Sequence, residues 1–257
     1  MNHKDTVCVV IPLYMELNDW ERRAVDNNLR VLGNHPFAFV YPENFDISRL
    51  HSAYPQVRLV PVSDEWLGKK NGIAGYNQMM LSSSFYQLFS DVDFMLICHA
   101  DAWIFRDELS DWCGRGYDMV AAPWPSLWIY RRFRFLQKFR EDWQRMKLHD
   151  TFSHSQLYGH VGNGGLSLRR VSVFSEACEH YQKEIAYFTQ VESLNEDVFW
   201  AFVPKLSLPT EEEAISFAFD NKPKALYRRN HHRLPMGCHG FQHRSRRGFW
   251  RQFIGCL

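Results

Sequence analysis

The sequence predicts an α/β fold, a single domain with a mostly parallel central sheet flanked by helices. Three observations predict it. Short apolar runs such as Phe94–Cys98 have the length and unbroken hydrophobicity of strands covered on both faces. The segments between them carry apolar residues at helical spacing, among them Leu81, Phe85 and Leu88. Strand and helix therefore alternate along the chain, which calls for right-handed crossovers and parallel neighbours.

In chain order, residues 7–13 read as a buried first strand in which Pro12 ends the ladder and leaves Tyr14 beyond the strand end. Asn18 with Glu21 forms a capping pair, and Gly33 stops the helix expected over 19–32. Residues 37–41 and 57–62 supply the second and third strands, and a helix over 73–89 feeds the central strand Phe94–Cys98. Past Asp101, residues 107–113 suggest a short helix stopped by Gly114 and Gly116, and 119–122 a further strand. Residues 123–160 break the pattern with Pro123, Pro125, three tryptophans and a basic, aromatic run at 131–140. That run reads either as a solvated helix face or as an inserted binding or membrane-facing surface. Phe174, Ala177, Tyr181, Ile185 and Phe188 line one side of a later helix, and Thr210 with Glu213 opens another that runs through Phe219. The tail over 241–257 mixes arginines with Phe249, Trp250 and Phe253. It suits either an anionic bilayer surface or a helix packed onto the domain.

A chain of 257 residues with 46% hydrophobic and 16% aromatic content can bury a large core, so disorder is excluded. Its 30 basic residues nearly balance 29 acidic ones, and no global charge points to nucleic acid. The six cysteines are scattered, form no CxxC pair and lie in or near apolar runs, which predicts reduced core thiols rather than disulfides or zinc. With no signal-peptide pattern and no apolar stretch near the length of a membrane span, the expectation is a cytoplasmic protein, soluble or peripheral at a membrane.

Four short stretches carry the chemistry. Asp101, in His99-Ala100-Asp101, falls just past the carboxyl end of the central strand, where ligands bind in open α/β sheets, although a lone Asp there also caps turns. The run Gly162-Asn163-Gly164-Gly165 allows either a tight turn or close approach of backbone N–H groups to a ligand, and no Gly-Lys-Ser/Thr follows to make it a P-loop. Glu196-Asp197 precedes Val198-Phe199-Trp200, as acids at a helix start do. His239 stands between Cys238 and Gly240, where a loop histidine and a ligand look alike.

In this order the stretches resemble the glycosyltransferases of the GT-A fold: an Ile-Pro-x-Tyr loop after the first strand, a DxD-like motif, a glycine-rich loop, a Glu-Asp motif and a late histidine. Asp101-Ala102-Trp103, Gly-Asn-Gly-Gly-Leu-Ser-Leu-Arg from Gly162, Asn-Glu-Asp-Val-Phe-Trp from Asn195 and Gly-Cys-His-Gly from Gly237 are similar, more closely, to a bacterial family of uncharacterised GT-A-like proteins, DUF5672. The resemblance implies a single GT-A-like domain and a metal-dependent, nucleotide-sugar-using transferase that extends a surface polysaccharide, lipopolysaccharide or similar glycan, free or lipid-linked. Asp101 would end the DxD-like motif and bind a divalent metal, Mn or Mg, with His239 as the second protein ligand in an oxygen-rich shell. His99 stands where many members of the fold carry the first Asp, a departure from the pattern. Pro12, Tyr14, His99 and Asp101 would line the nucleotide-sugar site, and Asn163, Gly164 and Gly165 its wall. Glu196 would hold acceptor hydroxyls and Asp197 would be the base of an inverting transfer, with 123–160 as an acceptor region. Two alternatives stand beside this reading: a noncatalytic glycan- or nucleotide-binding module of the same fold, and a nucleotide-sugar hydrolase.

Overall fold

The computed structural model describes residues 6–68, 71–133, 135–136, 138, 157–191 and 194–255. Strands β1 (Val7–Pro12), β2 (Phe37–Pro42), β3 (Arg58–Val62) and β4 (Phe94–Cys98) are mutually parallel and lie side by side in the order β3-β2-β1-β4. Every residue of β1 and β4 is buried. Val7, Val9, Ile11, Phe94, Leu96 and Cys98 face one core cluster, while Cys8, Val10, Met95 and Ile97 face the other. Helices on both faces account for this two-sided burial: α1 (Asp19–Val31), α2 (Ser48–Ala53), α3 (Gly72–Met80) and α4 (Ser83–Gln87) connect the parallel strands.

The Asn18–Glu21 capping box that opens α1 is present, with the Asn18 side chain accepting from Trp20 and Glu21 N–H at 3.0 Å each. The single helix expected over 73–89 is instead two, α3 and α4, separated at Leu81 and Ser82. Tyr86 stabilises the break by donating its hydroxyl to the Met80 carbonyl at 2.8 Å, a group that the interrupted helix leaves without a partner.

Past β4 come β5 (Ala102–Ile104), α5 (Leu109–Cys113), β6 (Met119–Pro123), α6 (Trp128–Arg132) and β7 (Val161–Arg170). The glycine-rich stretch at 161–170 is thus a ten-residue strand and not a loop, antiparallel to both β4 and β6. Glycine's weak strand propensity hid it. Side chains from elsewhere fill the space above the glycines: an added Cβ would lie 2.8 Å from Trp124 at Gly162, 2.2 Å from Glu196 at Gly164 and 2.3 Å from His239 at Gly165. Of the run at 131–140, residues 134, 137, 139 and 140 lie outside the described residues. Trp128 and Ile129 just before it, and Phe133 and Phe135 within it, are exposed.

The later helices are α7 (Val171–His180), α8 (Gln182–Gln190), α9 (Glu196–Phe202) and α10 (Glu211–Phe217). Phe174 and Ala177 on α7 and Ile185 and Phe188 on α8 do face the core, but Tyr181 divides the expected helix in two. The helix opened by the Thr210–Glu213 capping box ends at Phe217, and β8 (Ala218–Phe219) takes over. Then follow α11 (Pro223–Arg229), β9 (Gly237–His239) and α12 (Arg244–Trp250). Of the two expectations for the tail, packing is the one observed. Trp250 is fully buried and stacks on Phe105 with ring centroids 5.7 Å apart, while Phe249 and Phe253 pack on the same cluster. Among the described residues no helix is long and apolar enough to cross a membrane. Cys8, Cys98, Cys113, Cys178 and Cys238 are buried free thiols.

Strands β5, β9 and β8 form a second, three-stranded sheet at the carboxyl edge of the first. Asn28, fully buried on α1, holds β5 in place by donating to the Ala102 carbonyl at 2.8 Å and accepting from the Ile104 N–H at 2.9 Å. Asn28→Ala should leave both backbone groups buried and unpaired, at about 1–3 kcal/mol for each. Urea denaturation of the variant should show that loss, accompanied by faster amide exchange at Ile104.

Candidate functional site

Three strand ends converge on one place. β4 runs out at Cys98, and the His99 N–H continues the ladder by donating to the Gly165 carbonyl on β7 at 3.0 Å. The chain then turns through Asp101 into β5, whose antiparallel register sets Ala102 opposite His239 on β9. β8 lies parallel to β9 with Phe219 opposite Cys238, so the residues that follow, Asp220 and His239, come side by side. Neighbouring strands thus place Asp101 and Asp220 against a single imidazole.

That imidazole is held at both nitrogens. His239 Nε2 lies 3.2 Å from Asp101 Oδ1, and Nδ1 lies 3.1 Å from Asp220 Oδ2. Asp220 is in turn ion-paired to Arg246 on α12, which also donates to the His239 carbonyl at 3.3 Å and to Asn221 at 3.0 Å. Burial alone would lower the His239 pKa, but hydrogen bonds and charge from Asp101 and Asp220 prevail and raise it to about 10. Burial works the other way on Asp101, and the His239 hydrogen bond outweighs it, holding the carboxyl at about 2. Without a metal this is a salt-bridged triad.

His99 completes the cluster. Its ring meets His239 edge-on with centroids 5.3 Å apart, and its Nε2 lies 2.9 Å from the Tyr76 hydroxyl. Burial, reinforced by the His239 charge, lowers its pKa to about 3, so the ring is neutral. Tyr14, just beyond Pro12 at the end of β1, stands edge-on to His99 at 6.4 Å and beside Tyr76 at 5.9 Å. One donor atom each from His99, Asp101 and His239 lies within 4.8 Å of the other two. The residues fit a metal ion on two counts: donor spacing, and an outer partner on the second nitrogen of each histidine.

The other wall is β7 with the start of α9. Gly165 has no side chain because the His239 ring occupies that space, and Asn163 accepts from the Gly165 N–H at 3.3 Å. Behind Gly164 lies Glu196, almost fully buried, with Arg169 Nη2 at 3.0 and 3.2 Å from its two oxygens. Arg169 is itself fully buried and bonds to Ser167 at 3.0 Å and Tyr86 at 3.1 Å. Glu196, expected to hold acceptor hydroxyls, is therefore committed to an ion pair beneath the wall. Asp197, the next residue, is half-buried, and its Oδ1 accepts from the Val198 N–H at 2.8 Å. Burial and the Glu196 charge push its carboxyl up to about 7.

The model of the family described as "Protein of unknown function (DUF5672)" matches residues 56–239, well over half of the chain. The chain belongs to the DUF5672 family. No curated protein matches it by sequence. Among solved structures it is similar to the galactosyltransferase LgtC in complex with donor and acceptor sugar analogs, at 12% identity over 90% of this chain and 86% of that one, with a TM-score of 0.56. It is also similar to apo mouse xyloside xylosyltransferase 1, at 12% identity over 92% and 97% of the two chains with a TM-score of 0.50. The bifunctional glycosyltransferase WbbM matches at 14% identity and a TM-score of 0.52, over 93% of this chain but 46% of WbbM. At such identities the likeness is one of fold, and the fold is that of the GT-A glycosyltransferases.

In this DUF5672 chain the sequence motifs named Asp101, His99 and His239 but not their supports. Tyr76, Asp220, Arg246 and Asn28 reach the site only through tertiary register, and no local pattern marks them. Arg169 stands beside a second cation, Arg170, at the end of β7, and nothing local tells the buried one from its half-buried neighbour. Because Arg169 and Glu196 are both desolvated, Glu196→Gln should strand the guanidinium without a counter-charge and cost about 3–5 kcal/mol. Chemical denaturation beside Asp197→Asn, which breaks no ion pair, would show the difference.

Proposed function

We propose that the chain is a metal-dependent glycosyltransferase that moves a sugar from a nucleotide-sugar donor to a hydroxyl of a glycan acceptor, with inversion at the anomeric carbon. The observation that carries this reading is the meeting of His99, Asp101 and His239 at the carboxyl edge of the sheet, on a fold shared with a galactosyltransferase solved with donor and acceptor sugar analogs. A divalent cation, when bound, neutralises the charge that develops on a departing diphosphate. Asp101 and His239 would hold it, with Pro12 and Tyr14 beside the nucleotide. Asn163, Gly164 and Gly165 would form the wall beside the donor sugar, with the Glu196 and His239 side chains packed against the two glycines.

Asp197 is the base. As the acceptor oxygen bonds to the anomeric carbon, the glycosyl–phosphate bond breaks, the diphosphate leaves with the electron pair, and the hydroxyl proton passes to the Asp197 carboxylate. A carboxyl pushed up to about 7 suits that work, because a base is most effective when its pKa lies near the operating pH. The acceptor is a glycan of surface-polysaccharide or lipopolysaccharide type, free or lipid-linked, at the cytoplasmic side of a membrane. In support, Trp128, Ile129, Phe133 and Phe135 leave apolar surface exposed past the carboxyl end of β6.

A screen of nucleotide sugars with Mn, reading nucleoside diphosphate release with and without glycan acceptors, tests the reaction. Release that depends on acceptor is expected. Release indifferent to acceptor would make the protein a hydrolase, and none with any donor would refute the reading. Asp197→Asn should lower kcat by about 10²- to 10⁴-fold while donor and metal binding persist. Since the protonated carboxyl cannot accept a proton, kcat/KM should climb as pH rises through about 7 and then level off, and the variant should lose that limb.

A further inference from the structure

Beside Asp101 and His239, the two protein ligands expected from the motifs, the structure brings a further donor, His99, to the same place. We propose that His99 is itself a metal ligand, so that His99, Asp101 and His239 form a two-histidine, one-carboxylate site that selects a transition-metal ion over magnesium. This rests on the metal site of the function proposed above and names the class of ion that site takes.

Three observations carry it. First, bonds of about 2.0–2.2 Å to one ion place adjacent donor atoms roughly 3.0–3.4 Å apart, and His239 Nε2 and Asp101 Oδ1 already stand at 3.2 Å. The third donor, from His99, lies within 4.8 Å of both. Second, a metal-bound imidazole characteristically gives its other N–H to a fixed acceptor, which sets ring orientation and tautomer. Both histidines have one: Asp220 at His239 Nδ1, 3.1 Å away, and the Tyr76 hydroxyl at His99 Nε2, 2.9 Å away. With Nε2 turned to Tyr76, Nδ1 of His99 is the nitrogen left to meet an ion. Tyr76 and Asp220 are 7% and 2% exposed, so these are built supports and not surface contacts. Third, Gly165 leaves the volume in which the His239 ring sits, and Gly240, at φ +61°, turns the chain directly after it.

The chemistry of the donors then decides the ion. Magnesium prefers oxygen ligands and dehydrates reluctantly. Imidazole nitrogens suit zinc, iron, nickel and copper, and two histidines with one carboxylate on one side leave open positions opposite. Diphosphate oxygens would take those positions.

Isothermal titration of the chelator-stripped full chain with Co, Zn, Mn and Mg tests the preference, with pulsed EPR of the Cu- or Mn-loaded chain counting bound imidazoles. The expected result is one site, two coupled imidazoles, and Co or Zn bound at least about 100-fold more tightly than Mg. His99→Asp should remain folded by circular dichroism, show one imidazole, and shift the Co-to-Mg affinity ratio at least about tenfold toward Mg. Tyr76→Phe, which removes a positioning group, should weaken Co binding by about 10-fold without changing the imidazole count. One imidazole in the unaltered protein, an unchanged ratio in folded His99→Asp, or no binding of any ion would overturn the proposal. Both readings can fail separately. Acceptor-dependent release supported equally by Mg and Mn, with one bound imidazole, leaves glycosyl transfer standing and sinks this inference. Two imidazoles and tight Co binding with no turnover of any donor does the reverse.

Discussion

The site depends on the pairing of two three-residue strands. β5 and β9 come from distant parts of the chain, and their antiparallel register is the reason that Asp101 and His239 touch. Strands so short contribute little ladder energy by themselves, so their register must be fixed from outside. Asn28 fixes one edge by serving β5 as a surrogate strand, with the neighbouring Asn27 donating to the Ile104 carbonyl at 2.7 Å. The opposite edge is fixed by β8 and by the aromatic cluster around Trp250. A slip of one residue would turn His239 to the other face and leave Asp101 without a partner.

The large sheet was legible in the sequence because buried parallel strands are apolar throughout, and β1, β2 and β4 announce themselves in this way. What stayed hidden was structure whose composition serves a neighbour. β7 reads as a loop because its glycines yield their side-chain space to Trp124, Glu196 and His239, so a requirement of packing overrides strand propensity. The division of the helix expected over 73–89 was hidden for a similar reason, since Tyr86 satisfies the freed carbonyl from a turn away. Asp101, His99 and His239 could be singled out from short motifs, whereas Asp220, directly after β8, belongs to none and becomes meaningful only when β8 and β9 align.

Electrostatics divides the two acids of the Glu-Asp motif more sharply than sequence suggests. Glu196 and Asp197 are adjacent, yet one is neutralised by a buried guanidinium and the other is not. The Arg169–Glu196 pair ties β7 to the first turn of α9, and so fixes the direction in which the second carboxylate leaves the helix. The two charges of the pair act oppositely on Asp197, for that of Glu196 adds to the effect of burial there and that of Arg169 works against it.

Arg246 grips Asp220, Asp220 grips His239, and α12 supplies the arginine. In order of synthesis, Asp101 leaves the ribosome long before these partners exist, and the central sheet has all its strands once Arg170 has been made. Between Arg170 and Arg246 the strands of the large sheet are all made while the partners of Asp101 are not. Assembly of the His239–Asp220–Arg246 cluster is the late event in the synthesis of the chain, and Phe199, Trp200, Phe217 and Met236, which complete the two cores on the sheet, are made in the same interval.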